Sequence, residues 1–186
     1  RRRSITQTNI ALCFSDLNTA QQRLMVRQTF ADNGIGIIET AMAWWSSHKN
    51  LTQRVSIEGG ALIEQAQTQG RGVLLVGAHY TSLDLGGILL AQHYPYYATY
   101  QRHGNALMDC IIRRGRLTHL PGIVERGDIR QVIRLLKQGN IVWLAPDQDV
   151  GPQRSVFAPF FGIDTATTPI ISRLASATGA KVLQFS

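Results

Sequence analysis

Cysteine is almost missing from this chain of 186 residues. Cys13 and Cys110 make no disulfide framework, which excludes the small stapled secreted folds and points to a reducing, cytosol-like compartment. Lysine is nearly as scarce: of 19 basic residues only Lys49, Lys137 and Lys181 are lysines, and the other 16 are arginines. No apolar run approaches the roughly 18 residues of a membrane span, and no signal peptide is visible. Repeats and low-complexity linkers are also missing. With 44% hydrophobic and 17% charged residues, what remains is one globular domain with a sizeable core. The chain starts at Arg1 without a methionine and stops inside "KVLQFS", so it is expected to be a piece of a longer protein.

What the chain has instead is a net charge of +7 carried almost entirely by arginine. A guanidinium stays charged and offers a planar fork to phosphate or carboxylate. The basic residues are scattered, and neither zinc-ligand spacing nor an RNA-binding aromatic signature accompanies them, which argues against nucleic acid. Anionic lipid and an acidic carrier protein remain as partner classes.

Apolar runs bounded by turn signals set out the architecture. "TAQQ" at Thr19–Gln22 has capping-box spacing and opens a helix toward Phe30. "GIIETAMAWW" is helix-like with a wide apolar face, and Ser56 to Gln69 reads as a third helix closed by Gly70. "RGVLLVG", "NIVWLAP" and "AKVLQFS" read as buried strands. "NALMDCIIRRG" reads as a helix ending at Gly115, and "GDIRQVIRLLKQG" as one capped by Asp128 and stopped by Gly139. "TTPIISRLASATG" places Thr168 at the N-cap, Pro169 at N1 and Gly179 past the end. Alternating strands and helices of this length predict an α/β fold, with a largely parallel central sheet and helices on its faces. In such sheets ligands bind at the carboxyl ends of strands, where His79 and Asp147 both fall.

"GAHYTSLD" follows the first of these strands. Positions i and i+5 do not share a helix face, so the pair has meaning only with His79 on the turn and Asp84 in the first turn of the next helix, behind Ser82 as N-cap. From there Asp84 is expected to accept the Nδ1–H of His79, leaving Nε2 free as a base. That is the base half of a triad with no nucleophile of its own, so a substrate hydroxyl would have to serve. The spacing by itself is also compatible with chance. Of the other histidines, His48 and His119 read as surface residues, while His93 and His103 flank an aromatic loop.

A second dense patch, "APDQDVGPQRSVFAPFFG", follows the strand that ends near Leu144. Asp147 and Asp149 can be read as metal ligands, though two carboxylates alone make a poor site. They can be read as the D-x-D of a phosphohydrolase, whose motif Gly151 breaks. Or they cap the loop and hold Arg154. Phe157, Phe160 and Phe161 read as core.

Together these stretches resemble one family. His79-Tyr-Thr-Ser-Leu-Asp84 looks like the H-x4-D/E box of glycerolipid and lipid A acyltransferases. "YQRHGNALMD", "DQDVGPQRSVFAPFFG" with "ATTP", and "ETAMAWW" are similar to the late acyltransferases of lipid A biosynthesis, of the lauroyl/myristoyl type. The likeness runs from about Leu12 to the end. It departs in Asp84, where the lipid A enzymes usually carry Glu, in Tyr100-Gln101-Arg102 for their Y-R-P, and in Val150 for an aromatic. The resemblance implies a glycerolipid-acyltransferase-like fold and a single acyltransferase domain over 1–186, cut at both ends, with an N-terminal membrane helix and a C-terminal part outside it. It implies acyl transfer from acyl-carrier protein to the 3-hydroxyl of an acyl chain on a lipid A precursor, at the cytoplasmic face of the bacterial inner membrane. His79 and Asp84 would be catalytic. Arg102, as a phosphate or carrier contact, would make up the substrate-binding set with Asp147, Asp149 and Arg154. No metal or organic cofactor is implied. A relative acylating a lysophospholipid, ornithine lipid or glycolipid, or a non-catalytic lipid-binding relative, would share these features.

Overall fold

A computed structural model describes residues 1–46 and 55–186; His48 and Lys49 lie outside them. Two helices precede the sheet, Arg2–Cys13 (α1) and Thr19–Trp45 (α2), and they pack on one another. Gly60–Thr68 (α3), Val73–Val76 (β1), Leu83–Ala91 (α4), Tyr96–Tyr100 (β2), Ala106–Leu117 (α5) and Gly122–Glu125 (β3) follow. Next come Ile129–Lys137 (α6), Ile141–Leu144 (β4), Val156–Phe160 (β5), Ile163–Thr167 (β6), Ile170–Thr178 (α7) and Lys181–Gln184 (β7).

Five strands form one sheet in the order β3-β2-β4-β1-β7, every pair parallel. This is the expected α/β architecture. β1 (VLLV) and β4 (IVWL) carry no polar side chain, as suits central strands covered on both faces. Val73, Leu75, Ile141 and Trp143 pack toward α3 and α4. Their neighbours Leu74 and Val142 pack with residues of α6 and α7. The connection leaving β1 therefore crosses one face and the connection leaving β4 crosses the other. Two adjacent parallel strands with connections to opposite faces open a crevice at their carboxyl ends. His79 and Asp147 follow these two strands.

The long helix α2 forms an outer layer across α4 and α5. It merges what the sequence suggested were two helices, and its cap is Asn18, one residue earlier than expected. The Asn18 side chain accepts from Gln21 N, while the Gln21 side chain accepts from Asn18 N. Gly36 lies buried against the turn after His79; a Cβ there would sit 2.8 Å from Thr81 O. Further along, the Trp44 ring packs on Gly115, where a Cβ would come within 2.5 Å of it. Gly115 thus admits a tryptophan instead of ending α5, which continues to Leu117. His119, expected at the surface, is half-buried with Nε2 3.5 Å from Trp44 O.

Other boundaries move as well. α3 begins at Gly60, not Ser56, and α7 takes Pro169 as its N-cap, not Thr168. Asp128 caps α6 as expected, accepting from Gln131 N. The aromatic stretch between His93 and His103 is a strand, with Tyr96, Ala98 and Tyr100 buried in alternation. The three phenylalanines expected in the core lie on an antiparallel ribbon, β5–β6, and all are exposed. Its two-residue turn is Phe161-Gly162, both at positive φ, the geometry that matches strand twist in tight hairpins. The turn rests on the α1–α2 connection through Phe14 and Phe161, whose ring centroids are 5.2 Å apart.

Candidate active site

The site is set by register. Val76 pairs with Leu144 across β1 and β4, and Gly77 N–H donates to Leu144 O. Counting the same three residues beyond each strand brings His79 beside Asp147. The carboxylate takes both available donors: His79 N–H at 2.8 Å to Oδ2 and the ring Nδ1 at 2.6 Å to Oδ1. A carboxylate on Nδ1 fixes the proton there and leaves Nε2 as the basic nitrogen. Burial is the largest single influence on Asp147 and acts upward. The backbone N–H, the ring hydrogen bond and the ring charge of His79 together outweigh it, so the carboxyl sits below its ordinary range.

Asp84 is where the local reading placed it, second residue of α4 behind Ser82, but it does not serve His79. Its two oxygens accept from Arg116 Nε at 2.8 Å and Nη2 at 3.1 Å, a bidentate pair largely shielded from solvent. The expected His79–Asp84 hydrogen bond is therefore replaced by two pairs, His79 with Asp147 and Asp84 with Arg116. Strand adjacency supplies a nearer carboxylate to the histidine than the next helix does, and α5 offers Asp84 a matching fork. Burial, and then the charge of Asp84, push the nearby Tyr96 phenol upward, with Arg116 opposing.

Below the histidine, Trp143 sets the floor. The His79 and Trp143 rings meet edge to face at 6.5 Å. Gly77 admits the indole, since a Cβ there would lie 2.7 Å from Trp143 Nε1. Beside the turn an apolar groove of about 590 Å³ runs between α3, α4 and the ends of β1 and β7. Tyr80, Leu83, Gly86, Leu90, Leu183 and Phe185 are among its walls.

The remaining expected residues divide. Asp149 Oδ1 accepts from Gly151 N at 2.7 Å and so shapes the loop. Arg154 sits exposed on the short 3-10 turn at Pro152–Arg154, with no ion pair among the described residues; the aspartates do not hold it. Each of the two aspartates turns to its own partner, which removes the shared ligand pair that the phosphohydrolase alternative needs. Arg102 points outward, 75% exposed, with Nε 4.0 Å from Asp109. Asp109 is buried and accepts from His103 N.

Sequence reasoning missed Gln148 and Arg126. Gln148 Nε2 lies 3.4 Å from His79 Nε2, and Gln148 Oε1 accepts from Arg126 Nη1 at 3.2 Å. Gln148 stood inside the motif, between two aspartates that drew the attention. Arg126 follows β3, a strand with no clear signal of its own.

Comparison with known proteins matches residues 1–186 to the model of a family described as bacterial lipid A biosynthesis acyltransferase. The chain is 37% identical over 181 residues to the lipid A biosynthesis palmitoleoyltransferase of Escherichia coli strain K12, covering 95% of this chain and 59% of that protein. It is 36% identical over 186 residues to the lauroyltransferase of the same organism, covering 100% and 61%. An acyltransferase of Haemophilus influenzae is 33% identical over 188 residues, covering 100% and 60%. The chain thus spans about 60% of the length of these relatives.

Proposed function

We propose the following reaction for this chain, which belongs to the bacterial lipid A biosynthesis acyltransferase family: transfer of a fatty acyl group from the thioester of acyl-carrier protein to a hydroxyl on an acyl chain of a lipid A precursor. One observation carries the chemistry. His79 has its Nδ1 held by Asp147, its Nε2 lies 3.4 Å from Gln148 Nε2, and the next residue, Tyr80, lines an apolar groove. Nε2 accepts the hydroxyl proton as the oxygen attacks the thioester carbonyl. Asp147 stabilises the imidazolium so formed, and the proton then passes to the departing thiolate. Base catalysis of this kind contributes about 10²–10⁴-fold.

Asp84 acts at one remove. Its pair with Arg116 fixes the start of α4 and with it the turn that carries His79. The groove suits an acyl chain, being largely apolar, and Tyr80, next to His79, lines it. The setting is the cytoplasmic side of the inner membrane, where a carrier-bound donor and a membrane-bound acceptor meet. Among the described residues no helix is long and apolar enough to cross a membrane, while α2 exposes an apolar stripe beside the site.

The test uses the full-length enzyme, its His79→Ala variant, acyl-carrier thioester and lipid A precursor, with products read by mass spectrometry. One added acyl chain with the native enzyme and none with the variant is the expected result. Acylation of a lysophospholipid, ornithine lipid or glycolipid instead would replace the acceptor, and undiminished transfer by His79→Ala would overturn the mechanism.

A further inference from the structure

His79 is served by two consecutive residues. Asp147 takes the Nδ1 side of the ring at 2.6 Å, and Gln148 brings its side-chain Nε2 to 3.4 Å from the ring Nε2. The amide cannot be turned round. Its oxygen accepts from Arg126 Nη1 at 3.2 Å, and a guanidinium has donors only, so the NH2 group faces the histidine. Arg126 is itself tied down: Nη1 also donates to Gln101 Oε1 at 2.9 Å, and its backbone N–H donates to Tyr100 O at 2.7 Å. Gln148 is exposed, so this oriented donor is open to a substrate.

The separation of 3.4 Å decides what the donor can do. It lies beyond the roughly 2.7–3.2 Å of ordinary N–H hydrogen bonds, so the two nitrogens hold one another weakly and an incoming oxygen can take each. Two oxygens, each about 2.8–3.0 Å from its own nitrogen, then lie side by side. That is the relation of an attacking hydroxyl to the carbonyl oxygen of the thioester it attacks. The hydroxyl belongs on His79 Nε2, which has a lone pair to take its proton, and the carbonyl oxygen belongs on the amide N–H. Other donors at the turn are committed. The backbone N–H groups of His79 and Tyr80 go to Asp147 Oδ2 and Ala78 O, and the Trp143 N–H is buried.

We propose that Gln148 donates to the oxyanion of the tetrahedral intermediate in acyl transfer. The proposal rests on the acyl-transfer reading above. As the hydroxyl oxygen bonds to the thioester carbon, its proton goes to His79 Nε2 and the π pair of the carbonyl moves onto the carbonyl oxygen. The Gln148 N–H holds that charge. On collapse the pair returns to the C=O bond, the C–S bond breaks, and the departing thiolate takes the proton from His79. The positive Arg126 on Oε1 draws electrons from the amide and strengthens its N–H as a donor.

The experiment takes the full-length enzyme as wild type, Gln148→Ala and Gln148→Glu, with acyl-carrier thioester and lipid A precursor. Gln148→Glu is the decisive variant: a carboxylate still accepts from Arg126 and keeps the side chain's shape, but it has no N–H to give. Both variants are expected to lower kcat about 10²–10³-fold, the loss on removing one oxyanion donor, with both KM values little changed and melting temperatures near wild type. If Gln148 only held Arg126 in place, Gln148→Glu would turn over like wild type while Gln148→Ala lost activity. That pattern, or a loss confined to KM, would overturn the proposal. A second assay needs no lipid acceptor: hydrolysis of the carrier thioester, in which water attacks in place of the hydroxyl and the same oxyanion forms. If wild type hydrolyses the thioester but transfers nothing to the precursor, the acceptor reading fails and the proposal is still tested, because hydrolysis should fall by a similar factor in both variants. Hydrolysis at the wild-type rate in both refutes it.

Discussion

Asp147 and Asp84 have separate partners, His79 and Arg116, and substitution should separate the roles proposed for them. Asp147→Asn keeps the shape but takes the charge from the Nδ1 partner, so turnover is expected to fall about 10²–10⁴-fold with only a small change in melting temperature. Asp84→Ala strands the shielded Arg116 guanidinium and should lower stability by about 1.5–3 kcal/mol, with activity falling alongside it. Asp84→Glu keeps the carboxylate and should retain most of the activity. Denaturation and kinetics on the same preparations check all three, and an Asp147→Asn enzyme with full activity would remove the assigned role. The pH dependence follows from the same bond. Because the native Asp147 carboxyl lies below its ordinary range, its stabilisation is complete above the unfolded value of about 3.9 and is lost as pH falls through the lower native value. The stability gap between wild type and Asp147→Asn should therefore narrow below about pH 4; a gap that holds constant into acid would contradict this. Gly77→Ala tests the floor of the site: its methyl would press on the indole of Trp143, and overpacking of this kind costs about 1–3 kcal/mol.

At the scale of elements, the sequence was most legible where a local signal sufficed. β1, β4 and α6 were readable because unbroken apolar runs and a clean helical stripe need no distant partner to be recognised. Asp84 at the second position of α4 was readable for the same reason, from Ser82 and the strand before it. What was not readable depends on neighbours far along the chain. The partner of His79 lies 68 residues away and is settled by which strands sit side by side. β2 was hidden because its outer positions, Tyr97 and Thr99, are half-buried and stand out little from the buried tyrosines Tyr96 and Tyr100. Gly115 looked like a stop because a glycine that admits a tryptophan and one that ends a helix are the same letter. Gly36 belongs with it, and it links α2 to the turn after His79. Gly36→Ala would place a methyl 2.8 Å from Thr81 O, a backbone atom that cannot swing aside. The expected outcome is a shift of α2 that disturbs the His79 turn, with activity falling more than the roughly 1–3 kcal/mol of overpacking would suggest. A Gly36→Ala protein with native activity would show that α2 and the turn are not coupled.

For the whole molecule the question is how a basic protein would reach the lipid acceptor proposed for it. α2 is about 40 Å long at 1.5 Å per residue, and its outward side carries Ile35, Ile38, Met42 and Trp45 at spacings of three and four, with Ile37 alongside, all exposed. Buried Gly36 on the inward side touches the turn after His79, so this apolar stripe lies close to the mouth of the site. The β5–β6 ribbon adds Phe157, Phe160 and Phe161 near the other end of the same helix. Arg23 and Arg27 are exposed on α2, as are Arg1, Arg2 and Arg3 at the start of α1. An apolar stripe edged by arginine suits the interface of an anionic bilayer, where binding grows with buried apolar area and with charge. Each basic residue near such a surface contributes about 1 kcal/mol, and salt screens that part over about 8 Å at physiological strength. The adjacent tryptophans of α2, Trp44 and Trp45, differ. Trp44 packs on Gly115 with its N–H buried, whereas Trp45 is 65% exposed and free to rest at the lipid boundary, where an indole is at home. Adding phosphatidylglycerol vesicles should shift the tryptophan emission to the blue, and the shift should vanish in Trp45→Ala but survive in Trp44→Ala. Binding should weaken steeply as salt rises. A blue shift that depends on Trp44 and not Trp45, or vesicle binding indifferent to salt, would place the lipid-facing surface elsewhere on the molecule.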